Sequence, residues 1–241
     1  MAFLKRDKRI CGILFDLDDT LCDYRTAARN ARLIIYEYIK EHFSDLKVSL
    51  GTFLSLWRDV AHNIWHDVIC GKLPENMFQY TRFKTFLKEL NIENEKLAKE
   101  LSSKYEEEII RNLYLFNDAR DALPYLSDKY ILGILTNGAR SFQIKKIEKL
   151  GIRKYFSYVF ISEDIGFRKP DVLAFKFAIS RMRLRPDNVL FIGDSPVYDI
   201  TGAKKAKLKV VWINRSERTL NGVSFKPDYE IRNLKELLSI L

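Results

Sequence analysis

The chain has 241 residues, 47% hydrophobic and 30% charged, enough for one sizeable domain with an insertion or for two modest domains; disordered and fibrous classes are excluded. Every apolar run stops well short of the ~18 residues a bilayer span requires, because Asp16 ends the run from Ile10 to Phe15 and Asp128 and Lys129 precede the one at Tyr130. Lys and Arg number 41 against 32 Asp and Glu, a net charge of +9 that raises the question of a nucleic-acid partner.

The basic start (Lys5, Arg6, Lys8, Arg9) and the apolar run after it imitate a secretion signal, but aspartates stand where small cleavage-site residues belong. Ile10 to Phe15 is therefore predicted as a first strand. From about residue 24 to about residue 112 the pattern is helical throughout, with four apolar stripes. Ala28, Ala31, Ile35, Tyr38 and Ile39 form the first, and Trp57, Ala61, Ile64 and Val68 the second. Phe83, Phe86, Leu87 and Leu90 form the third, and Leu97, Leu101, Tyr105 and Ile109 the fourth. Gly51 and Gly71 mark expected helix breaks, and Pro74 suits the first turn of the third helix.

Beyond residue 112 short apolar strands alternate with amphipathic helices. Strands are predicted at Tyr130 to Leu135, Tyr158 to Ile161, Val189 to Ile192 and Val210 to Ile213, and helices at Asp118 to Ser127, Ser141 to Leu150, Asp171 to Met182 and Asp199 to Ala206. Gly151 fits a left-handed helix stop and Asp171 a helix N-cap. A short strand near Tyr229 to Ile231 and a helix from about Asn233 close the chain. This order predicts an α/β fold: a doubly wound parallel sheet formed by residues 1–23 and 113–241, interrupted by an all-α helical bundle of residues 24–112.

The helical segment is nearly neutral, with 14 basic and 13 acidic side chains, so the surplus lies in the flanking parts, 27 against 19. Its densest runs, Lys145, Lys146 and Lys149, then Arg181, Arg183 and Arg185, then Lys204, Lys205, Lys207 and Lys209, carry few interleaved aromatics. They read as a solvated surface more readily than as a nucleic-acid groove. Cys11, Cys22 and Cys70, an odd number without CxxC spacing, supply neither a disulfide framework nor a zinc site and suit a reducing cytoplasm.

The chemistry gathers at strand ends, where open α/β sheets bind ligands. After the first strand come Asp16, Leu17, Asp18, Asp19 and Thr20, and acids two apart in an extended segment share a face. One can act as nucleophile or metal ligand and the other as acid and base, or both can serve an ordinary acidic turn. The second strand ends in Thr136-Asn137-Gly138, an anion-binding loop or a plain Asn-Gly turn. Lys169-Pro170 precedes the Asp171 helix, and the fourth strand ends in Gly193-Asp194 with Asp199 five residues on. Each signal is weak alone. Their order and position are not.

Asp16-x-Asp18-x-Thr20, Thr136-Asn137-Gly138, Lys169-Pro170 and Gly193-Asp194-x4-Asp199 together resemble the four motifs of the haloacid dehalogenase (HAD) superfamily, and residues 23–112 match its helical cap inserted after the first motif. The resemblance implies that Asp16 attacks phosphorus to form an aspartyl-phosphate, with Asp18 as general acid and base. It implies a Mg²⁺ held by Asp16, Asp194 and the backbone carbonyl of Asp18, with Asp199 holding a metal-bound water or orienting Lys169. Thr136 and the N–H groups of Asn137 and Gly138 would hold phosphoryl oxygens, Lys169 would offset their charge, and Thr20 would hold the first loop. Asp19 stands where the family often has Gly and takes no role.

Within the superfamily Asp18 points to phosphoryl transfer, since dehalogenases need no proton donor two residues after the nucleophile. The expectation is a cytoplasmic Mg²⁺-dependent phosphatase of small phosphorylated metabolites: sugar or triose phosphates, phosphoglycolate or nucleoside monophosphates. A phosphomutase is the alternative enzyme, and a basic nucleic-acid-binding protein on an idle scaffold the alternative class. Tyr24 and Arg25, where the chain passes into the cap, and Arg140, just after the phosphate loop, are the candidate specificity residues. On the second cap helix His62 and His66 lie at i, i+4 but lack a third metal ligand.

Overall fold

The computed structural model describes residues 10–43, 45–220 and 223–241; the basic start with Lys5, Arg6, Lys8 and Arg9 lies outside the described residues. Two compact units emerge, one of Met1–Asp23 with Tyr114–Leu241 and one of Tyr24–Leu113. Leu113, assigned to the sheet by the sequence pattern, belongs to the helical unit.

The helical unit contains α1 (Tyr24–His42), α2 (Leu50–Ile69), α3 (Phe78–Glu89) and α4 (Glu95–Asn112). Ser49 caps α2 by accepting from the Thr52 N–H at 3.1 Å, and Asn94 caps α4 by accepting from the Leu97 N–H at 2.9 Å. The stripes meet in an aromatic core of Phe53, Trp57, Phe83, Phe86 and Tyr105, ring centroids 4.9 to 6.0 Å apart. Phe53 and Val60 join the α2 stripe in the core, and Ala61 is only half-buried.

Tyr36 takes the core place expected of Tyr38. Its hydroxyl donates to the Val48 carbonyl, so the ring is buried with its polar tip paired, while half-buried Tyr38 donates to Glu100. Gly51 lies inside α2, because Ser49 sets the start of that helix. Pro74 precedes a 3₁₀ turn, Glu75–Met77, and α3 begins only at Phe78. Within the core, the Arg82 guanidinium lies 4.3 to 5.7 Å from the rings of Trp57, Tyr105, Phe78 and Phe83. Burial lowers its pKa, opposed by Tyr105 and Tyr24.

In the other unit β1 (Gly12–Phe15), β2 (Ile131–Thr136), β3 (Tyr158–Ile161), β4 (Val189–Gly193), β5 (Lys209–Ile213) and β6 (Tyr229–Ile231) pair in parallel in the order β3-β2-β1-β4-β5-β6. The helices are α5 (Asn117–Lys129), α6 (Arg140–Lys149), α7 (Ser162–Ile165), α8 (Val172–Met182) and α9 (Thr201–Lys205). Strands covered on both faces carry unbroken apolar runs, which is why β1 and β4 are buried at every residue. On one face Ala174, Phe175, Ala178 and Met182 of α8 pack with Leu14, Phe191 and Trp212. Gly151 stops the segment after α6 at φ 65°, and Asp171 caps α8 by accepting from the Leu173 N–H.

Two segments depart from the expected pattern. The single helix from Asp199 to Ala206 is instead a π turn, Pro196–Ile200, leading into α9. The terminal helix is 3₁₀, Leu234–Ser239, started by a capping box between Asn233 and Glu236. The strand order reverses at β1, which has β2 on one side and β4 on the other. The carboxyl ends of β1 and β4 therefore flank a topological switch point, the place where such sheets open a crevice.

Candidate active site

Asp16 follows β1 directly, and its N–H donates to the Ile192 carbonyl at 2.8 Å, extending the pairing with β4 by one residue. The carboxylate is buried and fully engaged: Oδ2 accepts from the Thr20 hydroxyl at 3.0 Å and Oδ1 from Lys169 Nζ at 2.5 Å. The loop turns back because Asp19 adopts a left-handed conformation, φ 59°, and Leu21 N–H returns to the Leu17 carbonyl. A left-handed position favours glycine and tolerates aspartate, which explains the departure from Gly at residue 19.

Lys169 also donates to Asp199 Oδ1 at 2.7 Å. Asp199 is 1% exposed, and its Oδ2 accepts from the Ser195 N–H at 2.9 Å, so the π turn carries this carboxylate back beside Gly193. A Cβ on Gly193 would collide with the Asp199 carboxylate, so only glycine fits there. Asp199, expected either to hold a metal-bound water or to orient Lys169, is thus in direct ion-pair contact with the lysine.

The β2 loop is held from three sides. Asn137 closes a two-bond ring with Lys169: its Nδ2 donates to the Lys169 carbonyl and its Oδ1 accepts from the Lys169 N–H, both at 2.9 Å. Gln143 of α6 donates to the Thr136 hydroxyl at 2.5 Å and to the Asn137 carbonyl at 2.7 Å. Gly138, at φ 139°, gives its N–H to Ser162 Oγ at 2.9 Å. That last bond corrects the expectation for Gly138: its N–H serves the β3 end and α7, not an incoming phosphoryl oxygen.

Lys146 corrects the reading of the basic runs. Lys145 and Lys149 are exposed on α6, but Lys146 is 2% exposed and reaches both carboxylate oxygens of Asp18, at 2.8 and 2.6 Å. Its motif-independent partner on the same helix, Gln143, is equally buried. Their one trace in the sequence is a pair of polar residues at i, i+3 beside Phe142 and Ile147, a pattern that by itself reads as the solvated edge of an amphipathic helix. Arg140 pairs through Nε with Asp164 at 3.1 Å, on an exposed side chain at the start of α6. Tyr24 and Arg25 form the first turn of α1 in the helical unit, with Arg25 exposed.

A haloacid dehalogenase-like hydrolase family model matches residues 10–207, most of the chain. The chain belongs to the haloacid dehalogenase-like hydrolases. The HAD-hydrolase YfnB of Bacillus subtilis is 31% identical over 236 residues, covering 97% of this chain and 96% of its own. A crystal structure of YfnB bound to magnesium superposes with a TM-score of 0.80 at 30% identity, over 97% of this chain and 99% of that one. A glyceraldehyde 3-phosphate phosphatase of Pyrococcus furiosus is 30% identical over 97% of this chain and 94% of its own. The (S)-2-haloacid dehalogenase 2 of a Pseudomonas strain is 27% identical over 97% and 96%. Pyrimidine 5′-nucleotidases also occur among the relatives.

In this HAD-like hydrolase the carboxylates of Asp16, Asp194 and Asp199 each place an oxygen within 4.8 Å of the others, the one such group of three among the described residues. Asp194 accepts from Arg218 Nη2 at 2.8 Å, and its carbonyl accepts from Trp212 Nε1 at 2.9 Å. Three carboxylates thus face Lys169 and Arg218, with negative charge in excess. Burial raises the pKa of Asp16 well above the usual carboxylate range, Lys169 pulling it down and Asp199, Asp194 and Asp18 adding to the rise. Burial and then Asp199 and Asp19 push Asp194 up to about 7, against Arg218. Burial would favour neutral Lys169, but Asp16 and Asp199 overcome it and raise its pKa. An all-oxygen, over-acidic cluster of this kind fits a hard divalent cation, which would relieve the excess charge.

Proposed function

We propose that the chain is a Mg²⁺-dependent phosphatase of small phosphate esters working through an aspartyl-phosphate. The observation that carries this reading is Asp18: a part-buried carboxylate two residues beyond Asp16, outside the acidic group of Asp16, Asp194 and Asp199. Such a second acid has work to do when an alkoxide leaves phosphorus and none when halide leaves carbon. The named phosphatase and nucleotidase relatives support the reading, and the named dehalogenase is the competitor that Asp18 argues against.

In the proposed reaction an Asp16 oxygen attacks phosphorus while the ester P–O bond breaks, and the leaving oxygen takes a proton from Asp18. Water then attacks the phosphorus of the aspartyl-phosphate and gives a proton to Asp18, and the bond to Asp16 breaks to release phosphate. Lys169 offsets charge on Asp16 and the phosphoryl group, Asp199 holds Lys169, and Asn137 holds its backbone. Thr136 and the Asn137 N–H remain the phosphoryl contacts from the β2 loop. Mg²⁺ held by Asp16, Asp194 and the Asp18 carbonyl would neutralise charge that Lys169 alone cannot. The helical unit would act as the cap that selects the ester, and a reducing, cytoplasmic setting suits three thiols without a disulfide.

The test is phosphate release from p-nitrophenyl phosphate with Mg²⁺, followed by a panel of sugar, triose and nucleoside monophosphates. Wild type turns over, and Asp16→Asn loses at least about 10³-fold in kcat/KM. A wild type inert with every divalent metal, or one that releases halide from 2-chloropropionate and no phosphate, overturns the proposal.

A further inference from the structure

We infer that Lys146 is a positioning residue for Asp18, a part of the site that lies outside all four motifs; the inference rests on the acid-base role proposed for Asp18. Lys146 occupies the second turn of α6, over the Phe142 ring at 4.8 Å, with its Nζ donating to both oxygens of the Asp18 carboxylate. Burying an ammonium is unfavourable unless a charge partner compensates it, and neighbouring Lys145 and Lys149 take the ordinary solvated course. The chain accepts that cost at one lysine of the run, and the partner it supplies is Asp18.

The pairing does two things for the site. A carboxylate next to Asp16, Asp194 and Asp199 would otherwise be drawn toward any bound cation or repelled out of the crevice. Gripped at both oxygens while ionised, Asp18 keeps one orientation, apart from the acidic group; when it carries the proton that it donates, one oxygen still accepts from Lys146. The same helix face also carries Gln143, three residues earlier, which fixes the Thr136 hydroxyl and the Asn137 carbonyl. One turn of α6 therefore holds the acid-base group with one side chain and the phosphate loop with the other. Preorganisation of this kind is realised in rate more than in ground-state binding.

The experiment compares Lys146→Met, Lys146→Gln and Lys146→Arg on two esters. p-Nitrophenolate leaves with little help from an acid, whereas the alkoxide of glycerol 2-phosphate needs a proton. The Met and Gln variants should lose about 10²-fold in kcat/KM on glycerol 2-phosphate but under tenfold on p-nitrophenyl phosphate, with KM little changed, and Arg should recover most of the loss. Equal losses on both esters, or no loss, overturn the inference. Thermal unfolding supplies a readout independent of activity: the Tm loss of Asp18→Asn/Lys146→Met should be smaller than the summed losses of the single variants. Additive losses overturn the pairing. If wild type hydrolyses neither ester, the phosphatase reading fails, and the thermal cycle still decides whether Lys146 and Asp18 act together.

Discussion

Asn137 looks from its sequence context like half of an Asn-Gly turn, yet its side chain spends both its donor and its acceptor on the main chain of Lys169. A lysine whose Nζ must reach Asp16 and Asp199 at once tolerates little backbone drift, and the amide ring removes that freedom. Asn137→Ala leaves two backbone groups of a buried residue unpaired, which costs about 1–3 kcal/mol of stability. Misplacing Lys169 should lower kcat/KM by about 10²-fold. Urea unfolding and steady-state kinetics on one variant check both numbers, and Asn137→Asp, which keeps the acceptor alone, should fall between.

At the scale of elements, the apolar runs placed all six strands to within two residues. The two with the expected bounds, β3 and β6, are the half-covered edges of the sheet, while fully buried β1 starts two residues later than its run, so burial makes a strand visible without fixing where it begins. The loop of residues 16–20 and the Lys169 turn could be placed from the sequence because they sit at strand and helix ends. Lys146 and Gln143 could not, since a polar side chain on an amphipathic helix reads as solvent-facing until the partner across space is known. The π turn was equally hidden: its extra residue is set by Asp199 reaching back to the Ser195 N–H, a contact no periodicity encodes. Gly193→Ala tests that turn. Its Cβ must displace the Asp199 carboxylate, so stability should drop by about 1–3 kcal/mol and activity should fall with it. In the helical unit, Arg82 gives the opposite sign. Its Nε is buried without a hydrogen-bond partner, so Arg82→Met should leave urea stability unchanged or raise it by about 1 kcal/mol. A loss beyond about 2 kcal/mol would mean that the aromatic cage outweighs desolvation.

For the whole molecule the charge distribution makes a prediction about pH and metal together. The sheet unit carries the basic surplus, but Lys146 and Lys169 are spent inside, and around Asp16 the local balance is acidic. Asp194 titrates near 7 in the folded chain against an ordinary 3.8, and Asp16 is raised as well, so the folded state retains protons that the unfolded chain has released. That stabilisation is complete below the unfolded pKa and is lost as pH rises through the folded one. Metal-free protein should therefore lose stability between about pH 4 and about pH 7. A divalent cation needs the same carboxylates ionised, so its binding releases those protons and strengthens over the same window. The rise in Tm on adding Mg²⁺ should be small near about pH 5 and large near about pH 8. Asp194→Asn should flatten both curves. A Mg²⁺ shift that is independent of pH, or that survives in Asp194→Asn, would place the cation away from this cluster.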